Sequence, residues 1–233
     1  MLAPCIPMKY SNHKYSFYWG QVTPHKISKG RVISNDIYYL YSIKLQRLIT
    51  LESRLEYYNW LLIEIDQDIT SACEQFPRLA KKNGEYYTMD AWIKNKNGEE
   101  AIIEVKESKH LIEYDGVTLP KRLHKFYGLI EKQGVSLKVI TEKSLRNQST
   151  LIQNWIEIYP FLITLSKNTL LIKRILSLCS AIYDKSLEEF LFELKSDYST
   201  QEIISHIFLL ALEGKVQTDL QSAQLSNRTQ ISV

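Results

Sequence analysis

A chain of 233 residues with 45% hydrophobic and 24% charged residues has the composition of an ordinary globular protein, enough for one large domain or a medium domain with a smaller appendage. Eight Gly and six Pro leave little room for long linkers, and three widely separated cysteines (Cys5, Cys73, Cys179) signal neither a disulfide framework nor a zinc cluster. The net charge of +3 is unevenly spread: residues 1–54 carry eight Lys/Arg against two Asp/Glu, residues 55–144 thirteen against fifteen, and residues 145–233 eight against nine.

Leu2-Ala3-Pro4-Cys5 resembles a lipoprotein cleavage box, but no apolar run precedes it, so no secretory leader is expected and a reduced cytoplasm is the default setting. Residues 1–30 lack periodicity and are expected to form an extended arm. The arm is basic and Tyr-rich (Lys9, Tyr10, Lys14, Tyr15, Tyr18, Lys26, Lys29, Arg31), which suits contacts with a phosphate backbone and equally suits a solvated arm without a partner. Arg31–Ser34 and Ile43–Ile49 read as extended segments.

A helix is expected from Ser53, where Ser53 and Glu56 form an S-x-x-E capping box and Leu55, Trp60, Leu61, Ile63 and Ile65 supply a broad apolar face. Asp66-Gln67-Asp68 ends it. Ile69–Phe76 reads as a strand stopped by Pro77, and Lys81-Lys82-Asn83-Gly84 as a turn. Tyr86–Ile93 and Ala101–Lys106 then read as a β-hairpin closed by Asn97-Gly98. After Pro120 a basic helix is expected over Lys121–Lys132, capped by Gly134, followed by a strand at Val135–Ile140.

The order helix, three strands, helix, strand implies an α/β layout with a mixed sheet. Beyond about residue 145 only helices are expected, over 149–165, 169–183 and from the capping boxes Ser186/Glu189 and Ser199/Glu202. Lys215–Gln217 and Thr229–Val233 read as short strands around a small helix, a winged-helix-like ending. The run from Trp155 to Tyr183 is interrupted by Lys167, Lys173 and Arg174 and is not a membrane span. These elements divide the chain into residues 1–145 and 146–233.

The chemistry concentrates on the central hairpin. Asp90, Glu104 and Lys106 stand where a buried strand asks for Val or Ile, and strand alternation projects Glu104 and Lys106 from one face. Two carboxylates and an amine there make a divalent-cation site beside a proton-handling group, or a structural ion network. Capping alone accounts for Glu56. Lys121, Arg122 and Lys125 suit DNA phosphates or a solvated face. No Gly-rich phosphate loop and no Ser/His/Asp arrangement stands out.

Asp90, then Glu104-Val105-Lys106, with Glu56 on a preceding helix and a basic helix following, resembles the PD-(D/E)xK nuclease core. More narrowly, residues 40–145 resemble the TnsA family, the endonuclease subunit of heteromeric transposases. The likeness rests on Ser53-Arg54-Leu55-Glu56, Ile65-Asp66-Gln67-Asp68-Ile69, Glu74-Gln75-Phe76-Pro77, Tyr87-Thr88-Met89-Asp90, Ile103-Glu104-Val105-Lys106 and Val139-Ile140-Thr141-Glu142, in that order. Met89 departs from the usual Pro, Ala91 from a common aromatic, and Phe76 is inserted in a Glu-Gln-Pro run.

The resemblance implies a restriction-endonuclease-like core with a smaller helical, winged-helix-type C-terminal domain. It implies Asp90, Glu104 and the Val105 carbonyl as ligands of Mg²⁺ or Mn²⁺, Glu56 completing the site, and Lys106 orienting or deprotonating water. It further implies cleavage of the 5′ ends of a transposon in a bacterial cytoplasm, in a CRISPR-associated or other element. The expected partners are a DDE transposase (TnsB-like) and, through the C-terminal domain, an AAA+ regulator (TnsC-like). A free-standing restriction or repair nuclease and a non-catalytic DNA-binding adaptor are the alternatives.

Overall fold

The computed structural model describes residues 22–25, 36–132, 135–179 and 184–233. Of the basic arm expected over residues 1–30 only 22–25 are described, and the segment Arg31–Ser34, the Gly134 cap and the last four residues of the helix expected over 169–183 lie outside the described residues. The chain divides into two compact units, Met1–Ile63 with Asp68–Arg146, and Glu64–Gln67 with Asn147–Val233. Among the described residues no helix is long and apolar enough to cross a membrane.

In the first unit, β1 (Tyr38–Ser42) and β2 (Arg47–Leu51) form an antiparallel hairpin where one extended segment was expected. The chain reverses between them through Gln46 at φ 54. Helix α1 (Arg54–Ile65) follows, with Trp60, Leu61 and Ile63 buried. β3 (Ile69–Glu74) ends two residues earlier than expected, because Gln75 takes φ 48 ahead of a cis Phe76-Pro77 bond.

The aromatic run before Asp90 is not one strand. Tyr86–Thr88 (β5) pairs with Arg78–Ala80 (β4) in a separate ribbon, and a second strand, β6 (Ala91–Asn95), begins after Asp90. Met89 N–H donates to Pro77 O at 2.9 Å and Gln75 N–H to Asp90 O at 2.8 Å, and these bonds replace the ladder at Met89 and Asp90. β6 pairs antiparallel with β7 (Glu100–Val105) across a turn in which Gly98 has φ 83, a conformation glycine adopts freely.

A hairpin not anticipated from the sequence follows: β8 (Leu111–Tyr114) and β9 (Val117–Pro120), turning at Asp115 (φ 51) and Gly116 (φ 74). Asp-Gly between two short β-prone runs is the signal that marks it. The expected helix from Lys121 is a 3-10 turn (Leu123–Phe126) leading into α2 (Tyr127–Glu131), since Pro120 is still held in the ladder. β10 (Ser136–Ile140) pairs parallel with β7, and a short α3 (Glu142–Arg146) closes the unit.

The central sheet runs β10-β7-β6-β3 and is mixed, making the fold α/β. Register sets Cys73 opposite Trp92 and Trp92 opposite Ile102. That row packs on Leu119, Leu123, Phe126 and Ile130, with Leu79, Tyr87 and Met89 in the same cluster.

The second unit contains α4 (Ser149–Ile163), α5 (Thr169–Cys179), α6 (Leu187–Leu194) and α7 (Thr200–Leu212). Both anticipated capping boxes are formed, at Ser186/Glu189 and Ser199/Glu202. Short strands β11 (Lys185–Ser186), β12 (Gln217–Thr218) and β13 (Gln230–Ser232) make a sheet in the order β11-β13-β12. Turns, not the expected small helix, connect β12 to β13. Buried Asn154 organises them, donating to Leu220 O and Ala223 O at 2.8 Å and accepting from Leu225 N–H at 2.9 Å.

Candidate active site

Glu104 sits on β7, on the face shared with Ile102, and is 1% exposed. The register Ala91↔Ile103 places Asp90 opposite Glu104, one residue beyond the end of β6. Asp90 folds back on the neighbouring strand, and its Oδ2 accepts the Val105 N–H at 2.7 Å. The residue as a whole is half-buried. Lys106 extends the parallel pairing, its N–H donating to Ile140 O at 2.9 Å. The Lys106 ammonium lies 3.8 Å from Glu104 Oε1, with its side chain 43% exposed. Asp90, Glu104, Val105 and Lys106 are therefore brought together at one end of the sheet.

Glu56 is held differently. Ser53 Oγ accepts from Glu56 N–H at 3.1 Å and donates to Glu56 Oε1 at 2.9 Å, while Oε2 accepts from Glu52 N–H at 3.0 Å. The cap is thus shifted by one residue, reaching Glu52 in place of Ser53. Gln75 Nε2 also donates to Glu56 Oε2 at 3.1 Å. Both carboxylate oxygens are occupied, so capping accounts for this residue, yet its charge still reaches the sheet.

Two residues without an assigned role emerge. Tyr87 O–H donates to Glu104 Oε1 at 2.5 Å from the buried face of the β4–β5 ribbon. Gln75 bridges Glu56 through its side chain and Asp90 through its backbone. Tyr87 carries a readable signal, since alternation in Tyr86-Tyr87-Thr88 must bury one tyrosine and a buried phenol needs a partner. The role of Gln75 depends on a positive φ that the sequence does not announce.

The electrostatics are strained in one direction. Burial pushes the Glu104 carboxyl from its ordinary 4.5 up to about 7, against the opposing pull of Lys106 and the Tyr87 hydrogen bond. Burial, then the charges of Glu104 and Glu56, holds Asp90 well above its usual range. Burial also raises Glu56, opposed by its Glu52 and Ser53 hydrogen bonds. Burial and the Glu104 charge push the Tyr87 phenol far up, so it remains a donor.

Glu104 Oε2 is buried and has no hydrogen-bond partner. A buried carboxylate oxygen without a donor is a site of uncompensated negative charge. Glu104 Oε2 is the atom a divalent cation would take, with the Asp90 carboxylate opposite it in the register as the second oxygen donor. Three carboxylates do not converge: among the described residues no group of three His, Cys, Asp or Glu is arranged to hold a metal ion. Two carboxylates suffice for Mg²⁺, which keeps several waters.

Replacing Tyr87 by Phe is expected to cost about 1–3 kcal/mol at neutral pH, because Glu104 Oε1 then loses its donor in a buried setting. Urea unfolding of parent and variant measures it.

Arg122, also expected at the site, stands 6.0 Å over the Tyr87 ring, and its charge acts on Glu104. Lys121 and Lys125 are exposed on the same segment. No known family model matches the chain, and no curated protein matches it.

Proposed function

We propose that the chain is a metal-dependent DNA endonuclease of the PD-(D/E)xK type, acting as a TnsA-like subunit that cuts the 5′ ends of a transposon. The observation that carries this reading is the buried, unpartnered Oε2 of Glu104 beside Asp90 and Lys106 at the end of a mixed sheet. Asp90 and Glu104 hold the Mg²⁺ or Mn²⁺, with the Val105 carbonyl beside them and Glu56 adding charge through Asp90. When bound, the cation supplies Lewis-acid charge that offsets the negative charge of the transition state.

The remaining work falls to this chain's own groups. Lys106 orients a water for in-line attack, and the proton the water gives up passes to solvent. The water oxygen bonds to phosphorus as the bond to the 3′ oxygen breaks, leaving a 5′-phosphate and a 3′-hydroxyl that takes its proton from solvent. Tyr87 keeps Glu104 fixed by occupying Oε1, which leaves Oε2 as the oxygen that would take a cation. Arg122, Lys121 and Lys125 contact phosphates of the same duplex.

The second unit, with helices and the β11-β13-β12 sheet, is the winged-helix-like part of this reading. Its eight basic against nine acidic residues over 145–233 favour a protein partner, an AAA+ regulator, over a phosphate backbone. A DDE transposase completes the complex by joining the 3′ ends. The 3.8 Å Lys106–Glu104 contact also favours a second reading, a DNA-binding adaptor in which these charges form a structural network.

Calorimetric titration with Mn²⁺ and cleavage of transposon-end DNA with Mg²⁺, alone and with the transposase, separate these readings. The nuclease reading expects metal binding and 5′-end cuts in the assembled complex. Robust cutting without any partner favours a free-standing nuclease. The absence of metal binding, even with DNA present, would overturn catalysis and leave the adaptor.

A further inference from the structure

We infer that the outward face of the β4–β5 ribbon grips duplex DNA beside the cleavage site, through an Arg78 guanidinium pre-oriented on the Tyr86 ring. This rests on the nuclease reading for its substrate but assigns a surface that reading does not use.

The ribbon is two-faced because side chains alternate along both strands. Leu79 and Tyr87 are paired across it and buried in the core cluster. The other face carries Arg78 opposite Thr88 and Ala80 opposite Tyr86. Tyr86 is 55% exposed, a large aromatic surface on that face. Arg78 lies 4.5 Å over that ring, and its Nε donates to Thr88 Oγ1 at 3.2 Å. Ring and hydroxyl together restrain the guanidinium. An Arg held over an aromatic ring is a pre-organised phosphate clamp, since less freedom is left to lose on binding.

The surrounding charge has the matching sign. Residues 78–88 carry Arg78, Lys81 and Lys82 against Glu85. Lys81 pairs with Glu85 at 3.3 Å and also lies 4.9 Å over Phe126, which ties the ribbon to the segment carrying Arg122 and Lys125. Tyr87 packs against Phe126 as well, at 5.8 Å. Arg78, Arg122 and Lys125 form no ion pair with a carboxylate among the described residues. Their charges stay available to an anionic partner.

The position is also right. Tyr86 precedes Asp90 by four residues, which caps their separation at about 14 Å of chain. That is within about four nucleotides of one strand at roughly 3.4 Å rise each. A duplex whose scissile phosphate reaches Asp90 has the ribbon within that span.

The test is fluorescence anisotropy of the full chain with a mixed-sequence DNA duplex in EDTA, where no cleavage intervenes, over a range of salt. Arg78→Glu should weaken binding about tenfold or more and lower the slope of log affinity against log salt by about one. Tyr86→Ala should weaken it several-fold, and Tyr86→Phe should restore parent affinity. Lys143→Glu, the same charge change on α3, should have little effect, and melting temperatures should match the parent.

Parent-like affinity and slope in both Arg78→Glu and Tyr86→Ala would overturn the assignment. So would an equal loss in Lys143→Glu. Cleavage of transposon-end DNA with Mg²⁺ is run on the same proteins in the assembled complex with the transposase. A parent that cuts DNA while Arg78→Glu binds unaltered refutes the ribbon alone. A parent that never cuts, yet loses binding in Arg78→Glu, keeps the ribbon and refutes the hydrolytic reading.

Discussion

Exchange of Asp90 for Asn is expected to lower Mg²⁺-dependent cleavage by about a thousandfold or more while leaving the fold, duplex binding and 3′-end joining by a partner transposase intact. The amide keeps the shape of the side chain and an oxygen to accept the Val105 N–H, now at 2.7 Å, so the strand junction after β6 survives. What disappears is the negative charge. A cation held by Asp90 and Glu104 then loses one of two anionic ligands, and its contribution to transition-state charge falls by several kcal/mol, where about 4 corresponds to a thousandfold in rate. Asp90→Ala should lose as much activity but also some stability, because it strands the Val105 N–H. The measurement is the ratio of 5′-end cuts to 3′-end joining in the assembled complex. Undiminished 5′ cleavage by Asp90→Asn would remove Asp90 from the chemistry.

Asp90 also shows what was legible in the sequence and what was not. Its proximity to Glu104 follows from an Asn97-Gly98 turn and two β-prone runs, both readable without a structure. The mixed sheet follows from the order of the elements around that hairpin. What the pattern hides is the break at Met89. Periodicity treats Tyr86–Ile93 as one strand, because aromatic and β-branched content is continuous through it. The competing bonds from Met89 N–H to Pro77 O and from Gln75 N–H to Asp90 O come from residues more than ten positions away. They depend on the φ of 48 at Gln75, a residue type that rarely marks such a conformation. The same bonds free the Asp90 side chain to turn onto Val105, so the feature that sequence periodicity misses is the one that shapes the site. At Glu56 the Ser53 cap was legible and is formed in shifted form, while the hydrogen bond from Gln75, nineteen residues on, was not. The Asp115-Gly116 turn is equally readable, an Asp-Gly pair between two short β-prone runs.

Glu104→Gln is expected to separate stability from function in opposite directions. The folded protein holds the Glu104 carboxyl at about 7 against an ordinary 4.5. Because the folded value is the higher one, the native state binds a proton more readily than the unfolded chain. The associated stability is fully present below pH 4.5 and is lost as pH rises through 7. Its size is about 3 kcal/mol, from about 1.4 kcal/mol per pH unit over that interval. Asp90 and Glu56 are raised as well, so they add loss in the same direction. In Glu104→Gln this component vanishes, and with it the Glu104 charge that helps raise Asp90. The unfolding free energy of the variant should therefore fall less between pH 4.5 and 8 than that of the parent, by about 3 kcal/mol. The absolute offset between the two proteins depends on how the amide fits where Oε2 lacks a donor, but the pH difference does not, because the amide does not titrate. A divalent cation acts on the same term. At pH 8 Mg²⁺ should raise the melting temperature of the parent by neutralising the buried carboxylate and leave Glu104→Gln nearly unmoved, while the variant loses cleavage. Urea unfolding at several pH values, with and without Mg²⁺, reads both effects. Equal pH dependence in the two proteins would mean that Glu104 carries no buried charge for a metal to neutralise, and the metal-site reading would fall.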